Sequence, residues 1–442
     1  MRMRAILCAA ACGLFALPAV AAAQAGIWGG KGDDPGRFGE IIDVATDARG
    51  YVYVLDEPDG TYGEGRVQKF LPNGKLVRQW GGSSDDDVRP LDRPNLISEP
   101  LALAISPQGL VYVAEGGERT RISIWTGKGK FQGAFASGGS GPGQISASIG
   151  GMVVDGRGLL VVADGGNDRL GLFTLGGQPA GETVVSFPAD ADGYTQTLSP
   201  TGDIAAGGDG RLYLAASYGV AIVDPSGAIV GAFGGDGTGP GAFSSVSGVA
   251  VAGDTLYATD ARLSRVQQFT AAGAFVAPVG GAPGGQPGQF TSPGAVAADC
   301  RGAAYVADTG NFRIQRFGPT APPCSNFAKD PGESLTIRLA GPKIQDFREE
   351  FAVQPRISCD RPCAVTLTGT ITTGGRKIRL VTERFRLNYP DLFTANIAPT
   401  ERGTDVVVAA LRRDRRATAR IRMTVKDLTG TKKVRSAAYR LR

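Results

Sequence analysis

The chain has 442 residues, 42% of them hydrophobic and 20% charged, with a formal net charge of +5. This length and balance exclude a disordered chain and allow two or three domains with cores of their own. The 66 glycines follow no Gly-X-Y period, which excludes collagen, and the complete lack of histidine excludes Ser-His-Asp and Cys-His catalysis and His-ligated zinc.

In chain order, residues 1–25 read as a signal peptide. Arg2 and Arg4 precede an apolar run over 5–20, and Ala23-Gln24-Ala25 supplies small residues for cleavage. The expectation is an exported protein, secreted or held at the cell envelope, whose mature chain starts near Gly26. No later stretch is long and apolar enough to cross a bilayer.

From residue 26 one segment type recurs six times. An acid- or Ser-initiated glycine turn leads into an alternating strand that ends in an acid, and a second strand opening on Arg follows. The copies run over 47–56 with 66–70, 106–115 with 121–125, 155–164 with 169–173, 210–216 with 219–224, 254–260 with 265–269, and 299–308 with 313–317. The fourth copy lacks both the closing acid and the Arg. Strands such as 248–252 and 294–298 precede most copies, so each unit holds four strands, one propeller blade. The sixth copy has no outer strand of its own, because Pro319, Pro322 and Pro323 follow it. The segment 26–30, ending Trp28-Gly29-Gly30, matches the Trp80-Gly81-Gly82 end of the first copy, and is expected to close the ring by pairing with the last blade.

The recurring Asp-x-x-Gly…Tyr-Val-x-Asp and Arg-[Ile/Val]-Gln-x-Phe runs, with Gly-Pro-Gly-x-Phe loops as at 239–243, resemble the NHL-repeat family over residues 26–324. The resemblance implies an all-β chain whose larger part is a six-bladed β-propeller. Enzymes on similar propellers, including the peptide-amidating lyases, place His on the axis, which this chain does not have. Gluconolactonase-like propellers carry acid-and-Asn metal sites there, and no matching pattern stands out.

The proline-rich stretch 318–323 marks a boundary. Beyond it, alternating segments at 334–339, 364–371, 377–381, 404–410, 418–425 and 436–441, with a hairpin turn at 427–431, predict a small Ig-like or fibronectin-like β-sandwich over 325–442. It is similar to accessory modules of secreted bacterial proteins. Charge divides at the same place. Lys and Arg number 21 against 30 Asp and Glu from residue 26 to Cys324, and 24 against 12 after it. The basic module could contact an anionic surface.

Removal of the signal leaves four cysteines, which allow three pairings. Cys300–Cys324 with Cys359–Cys363 keeps each disulfide within one domain, and a metal site on the second pair lacks further ligands.

Asp56, Glu115, Asp164, Asp260 and Asp308 end equivalent strands and would form a ring on one propeller face. Such a ring could hold Ca²⁺ or supply an acid–base pair. Repetition in five blades favours another use, as loop caps paired with Arg66, Arg121, Arg169, Arg265 and Arg313. The glycine-rich loop 280–288 is not a phosphate loop, since no helix with Lys-Ser/Thr follows. The basic run 412–416 lies between two strands and suits a solvated loop better than a nucleic-acid site.

These readings converge on a secreted, non-enzymatic binding or scaffold protein. Its propeller loops, above all 57–65 and 83–99, would recognise a protein or glycan partner at the cell envelope. The alternative is a Ca²⁺-assisted lactonase-like hydrolase or lyase on the propeller axis.

Overall fold

The computed structural model describes residues 24–58, 64–82, 93–186, 197–319, 324, 337–359, 363–387, 393–427 and 432–442. Residues 1–23 of the expected signal peptide, 59–63 and 83–92 of the expected contact loops, and 428–431 of the expected hairpin turn lie outside it.

The described chain opens with β1 (Gln24–Gly29). The first sheet follows as β2 (Glu40–Thr46), β3 (Val52–Glu57), β4 (Glu64–Phe70) and β5 (Leu76–Trp80), and β6 (Ile97–Ser98) adds to β4. The second is β7 (Pro100–Ile105), β8 (Leu110–Glu115), β9 (Arg121–Thr126) and β10 (Phe131–Phe135). The third is β11 (Ile149–Val154), β12 (Leu159–Asp164), β13 (Arg169–Thr174) and β14 (Pro179–Thr183). The fourth is β15 (Ile204–Ala206), β16 (Leu212–Ala216), β17 (Gly219–Val223) and β18 (Ile229–Gly234). The fifth is β19 (Val246–Ala252), β20 (Thr255–Asp260), β21 (Arg265–Thr270) and β22 (Phe275–Val279). The sixth takes β23 (Pro293–Ala298), β24 (Ala304–Asp308) and β25 (Arg313–Phe317), and β1 completes it by pairing antiparallel with β25.

Each sheet is an antiparallel meander, and it buries both of its faces. Separate apolar cores lie between consecutive sheets, and the core made by Phe38, Val52, Val54, Tyr305 and Ile314 joins the sixth sheet back to the first. The sheets therefore form a closed ring, a β-propeller, with β2, β7, β11, β15, β19 and β23 innermost. Trp28 of β1 packs 5.9 Å from Phe70 and 6.1 Å from Tyr305, so the segment that completes the last sheet also contacts the first. A Cys300–Cys324 disulfide ties the chain leaving the ring to the β23–β24 turn.

The remainder holds two sheets over one core. The smaller sheet contains β26 (Ile337–Ala340), β28 (Arg356–Cys359) and β32 (Phe393–Thr394). The larger contains β27 (Ile344–Gln345), β29 (Cys363–Thr373), β30 (Arg376–Arg379), β31 (Glu383–Leu387), β33 (Ala417–Asp427) and β34 (Lys432–Leu441). Val365, Leu367, Ile371, Ile421, Met423 and Val425 alternate inward to that core. Cys359 and Cys363 are disulfide-bonded across the β28–β29 connection. A short helix, α1 (Phe347–Glu350), precedes β28.

One expected strand is wrong. Residues 404–410 lie in a helix, α2 (Glu401–Arg412). The Val406-Val407-Val408 run suggests a strand, but the buried residues are Val407 and Leu411, four apart on one helical stripe. Ala409 and Ala410 favour the helix. The larger sheet also contains one parallel pairing, of the short β27 with the last strand, β34.

Candidate functional site

The five acids of the repeats share one arrangement. Asp56, Glu115, Asp164, Asp260 and Asp308 are all fully buried where the second strand of a sheet turns into the third. Each faces the Arg that opens that third strand. The N···O separations are 2.9 Å for Arg66–Asp56, 3.0 Å for Arg121–Glu115, 3.4 Å for Arg169–Asp164, 3.6 Å for Arg265–Asp260 and 2.7 Å for Arg313–Asp308.

Each carboxylate also accepts a backbone N–H from the segment entering the innermost strand. The donors are Gly39, Ser98, Ser146, Ser244 and Thr291, at 2.7–3.3 Å. The guanidinium reaches on to carbonyls of the same entering loop: Arg37 for Arg66, Leu96 for Arg121, Gln144 for Arg169, Ala242 for Arg265 and Gln289 for Arg313. Gln68, Gln267 and Gln315 complete the clasp by donating to those loops and accepting from Gly36, Gly241 and Gly288. The Arg-[Ile/Val]-Gln and Gly-Pro-Gly-x-Phe motifs are thus two halves of one staple. Burial raises the Asp56 carboxyl, and Arg66 opposes that shift.

Carboxylates paired with a guanidinium and bonded by backbone donors are poorly placed to take a cation as well; Glu115 Oε1 is held by its ion pair with Arg121 alone, without a hydrogen bond. Among the described residues, no group of three or more Asp, Glu or Cys side chains stands close enough to hold a metal ion. The expected contact loop before the second sheet is partly bound down: Arg121 donates to Pro94 and Leu96, and Arg119 to Arg93 and Leu96.

The fourth sheet has no staple. Ala216 and Gly219 occupy the acid and Arg positions. A side chain at Gly219 would put Cβ 2.4 Å from the Phe233 carbonyl oxygen, so the close approach of β18 excludes an Arg there. A cleft of about 570 Å³ opens at this corner, toward the fifth sheet. Thr201, Ser217, Ser244 and Ser245 give it a hydroxyl lining, Arg262 the positive charge, and the half-exposed Tyr218 an aromatic wall. No Asp or Glu among the described residues lines it.

Two further carboxylates escape the repeat pattern. The inner-strand position held by Asp43 in the first sheet is Ala102 in the second and Gly151 in the third. It is Asp203 in the fourth, Gly248 in the fifth and Ala295 in the sixth. Two acids thus stand on opposite sides of the ring, beside an axial channel of about 160 Å³ lined by all six inner strands. Asp43 accepts N–H bonds from Val44 and, in the next sheet, Leu103, both at 2.7 Å. Asp203 does the same with Ile204 at 2.7 Å and Val249 at 2.9 Å. Burial and the charge of Asp203 push Asp43 well above the ordinary carboxylate range, and burial pushes Asp203 up to about 7. The sequence signal was available only by aligning the inner strands, where four small residues and two acids occupy one position.

With this geometry in hand, comparison with known proteins adds one family. The NHL repeat profile matches residues 290–317. That match spans Phe290, Thr291, Asp308, Arg313 and Gln315, most of the side chains of the sixth staple. No curated protein matches the chain in sequence. Similar solved structures include a protein of unknown function from Bacteroides thetaiotaomicron, at TM-score 0.47 and 14% identity, covering 66% of this chain and 74% of that one. A streptogramin B lyase aligns at TM-score 0.39 and 12% identity, over 64% of this chain and 93% of the lyase. The WD40 propeller domain of Doa1 aligns at TM-score 0.39 and 12% identity, over 66% and 96%.

Proposed function

We propose that this is an exported binding or scaffold protein whose propeller receives a protein or glycan partner at the cell envelope, on the cleft over the fourth and fifth sheets. The observation that carries the reading is the contrast on one face. Five corners carry an acid–arginine pair and the fourth carries none, and the cleft beside it opens Thr201, Ser217 and Tyr218 of that corner, together with Ser244, Ser245 and Arg262 of the fifth, to solvent. Tyr and Arg are the residue types that dominate binding energy at interfaces. A rigid ring beneath the cleft keeps the ordering cost of binding low. Export is supported by the amino-terminal pattern and by two disulfides. No helix of the described residues is long and apolar enough to cross a membrane.

The test is binding of the purified mature chain to a panel of envelope glycans and envelope proteins, measured by biolayer interferometry. Tyr218→Ala and Arg262→Ala should each weaken a captured partner about tenfold, equivalent to ~1.4 kcal/mol. Unchanged binding by both variants would remove the cleft from the reading.

A further inference from the structure

The larger C-terminal sheet turns a uniformly basic face to solvent. Directly paired residues in antiparallel strands share a face, so the register sorts every side chain. The inward set, from Val365 to Val425, lies in the core. On the outward side β33 presents Arg420, Arg422 and Lys426, and β34 presents Lys432 and Arg440. On the other flank Lys377 and Arg379 of β30 pair with Thr372 and Thr370, and Arg384 and Arg386 of β31 with Thr366 and Ala364. All of these cations are exposed in the full chain, so the propeller does not cover them. No Asp or Glu shares the face among the described residues.

The charges converge on a cleft of about 410 Å³. It opens where β30 ends and β31 begins along the same edge of β29. Arg379, Arg420 and Arg422 line it together with Thr368, Thr370 and Thr382. None of the three guanidinium groups has an ion pair or a side-chain hydrogen bond with a described residue. This is unlike the propeller, where each repeat Arg meets an acid.

We infer that this face is a binding site for a linear acidic polysaccharide, with the Arg379–Arg420–Arg422 cleft as its central subsite. A guanidinium fork matches a carboxylate or sulfate bidentately. A Thr hydroxyl both donates and accepts, which suits the neutral hydroxyls of a sugar beside its charged group. Side chains on one face of a strand repeat every ~6.6–6.8 Å, so Arg420 and Arg422, and in the flanking row Arg384 and Arg386, offer a charged polymer successive contacts. Each exposed contact is weak alone, and a polymer adds them through avidity. A bilayer fits less well. The exposed apolar side chains that the register puts on this face, Val434 and Ile344, stand on its β34–β27 edge; Val381, in the β30–β31 connection, is one aliphatic side chain beside the cleft, and among the described residues no aromatic ring lines it. The site is independent of the propeller cleft, and failure of either leaves the other standing.

The experiment uses the mature full chain with heparin, polygalacturonate and neutral dextran as probes, and phosphatidylglycerol vesicles as a separate arm, at low and high salt. Both acidic polysaccharides should bind, more weakly as salt rises, and dextran should not. The triple variant Arg379→Gln/Arg420→Gln/Arg422→Gln should bind at least about tenfold more weakly, a loss of ~1.4 kcal/mol or more. The corresponding triple Lys variant keeps the charge without the fork, and should fall between the two. Replacement of Arg413, Arg415 and Arg416 by Gln removes three charges from the neighbouring loop, as many as the triple variant, and should change binding less than the triple Gln variant. Unaltered melting curves show that the variants remain folded. The inference is overturned if the triple Gln variant binds as the parent does, or if the loop variant loses as much. Vesicle binding that exceeds polysaccharide binding and is lost in the triple variant would overturn it in favour of a lipid surface.

Discussion

In the propeller, Arg66, Arg169 and Arg313 turn into the protein and meet Asp56, Asp164 and Asp308. In the C-terminal sheet, Arg379, Arg420 and Arg422 turn away from it and meet no acid among the described residues. The residue type is the same, and the surroundings decide its role. A buried guanidinium must have its donors satisfied, so its charge is spent on holding two loops and a carboxylate together. An exposed one is solvated, contributes little to stability, and keeps its charge for a ligand. Net charge alone hides this difference. The acidic propeller carries much of its charge in internal pairs, whereas the basic sheet displays its charge.

The widest separation between the two regions should appear in stability. Arg66→Ala leaves Asp56 buried without its counter-charge, and is expected to destabilise the chain by about 3–5 kcal/mol in urea unfolding. Arg422→Gln should stay within about 0.5 kcal/mol of the parent in the same assay. Equal effects would break the comparison. Next in size is the bridge at the ring exit. Opening Cys300–Cys324 with paired Ser substitutions should cost about 3 kcal/mol by loop-closure entropy, and opening the short Cys359–Cys363 loop about 2 kcal/mol.

A smaller effect separates the axial acids from the staples. Asp203 holds its proton to about pH 7, above the ordinary value of 3.8. A raised carboxyl pKa favours the folded state at low pH, so this contribution is full below about pH 4 and is lost as pH rises toward 7. The urea midpoint of Asp203→Asn should therefore fall less over that interval than the parent's. A parallel pair of curves would mean that Asp203 does not titrate there.

Much of the propeller was legible because its signal is local and repeated. Each staple is encoded within one unit as an acid and an Arg five to ten residues on, with a glycine loop before them in four of the five, and the copies reinforce one another. The cysteine pairing was legible from spacing and domain boundaries. Asp43 and Asp203 were not, because each is an ordinary residue in or just before an inner strand until the ring sets them opposite one another. The cleft over the fourth sheet is read from what is missing, and the reason, the approach of Phe233 to Gly219, lies in the packing of β18. The helix at Glu401–Arg412 was misread because three consecutive valines outweighed a Val407–Leu411 spacing that only burial reveals.

The central claim is that the repeat acids are structural staples, and that binding belongs to surfaces whose polar groups are left unpaired. Calcium titration calorimetry on the mature chain, with Asp164→Ala and Asp308→Ala beside it, tests this most directly. The account predicts that both substitutions lower thermal stability and that no calcium heat depends on either carboxylate. Tight calcium binding that both substitutions abolish in a still-folded protein would contradict it, place an ion on the ring, and return these acids to the hydrolase reading.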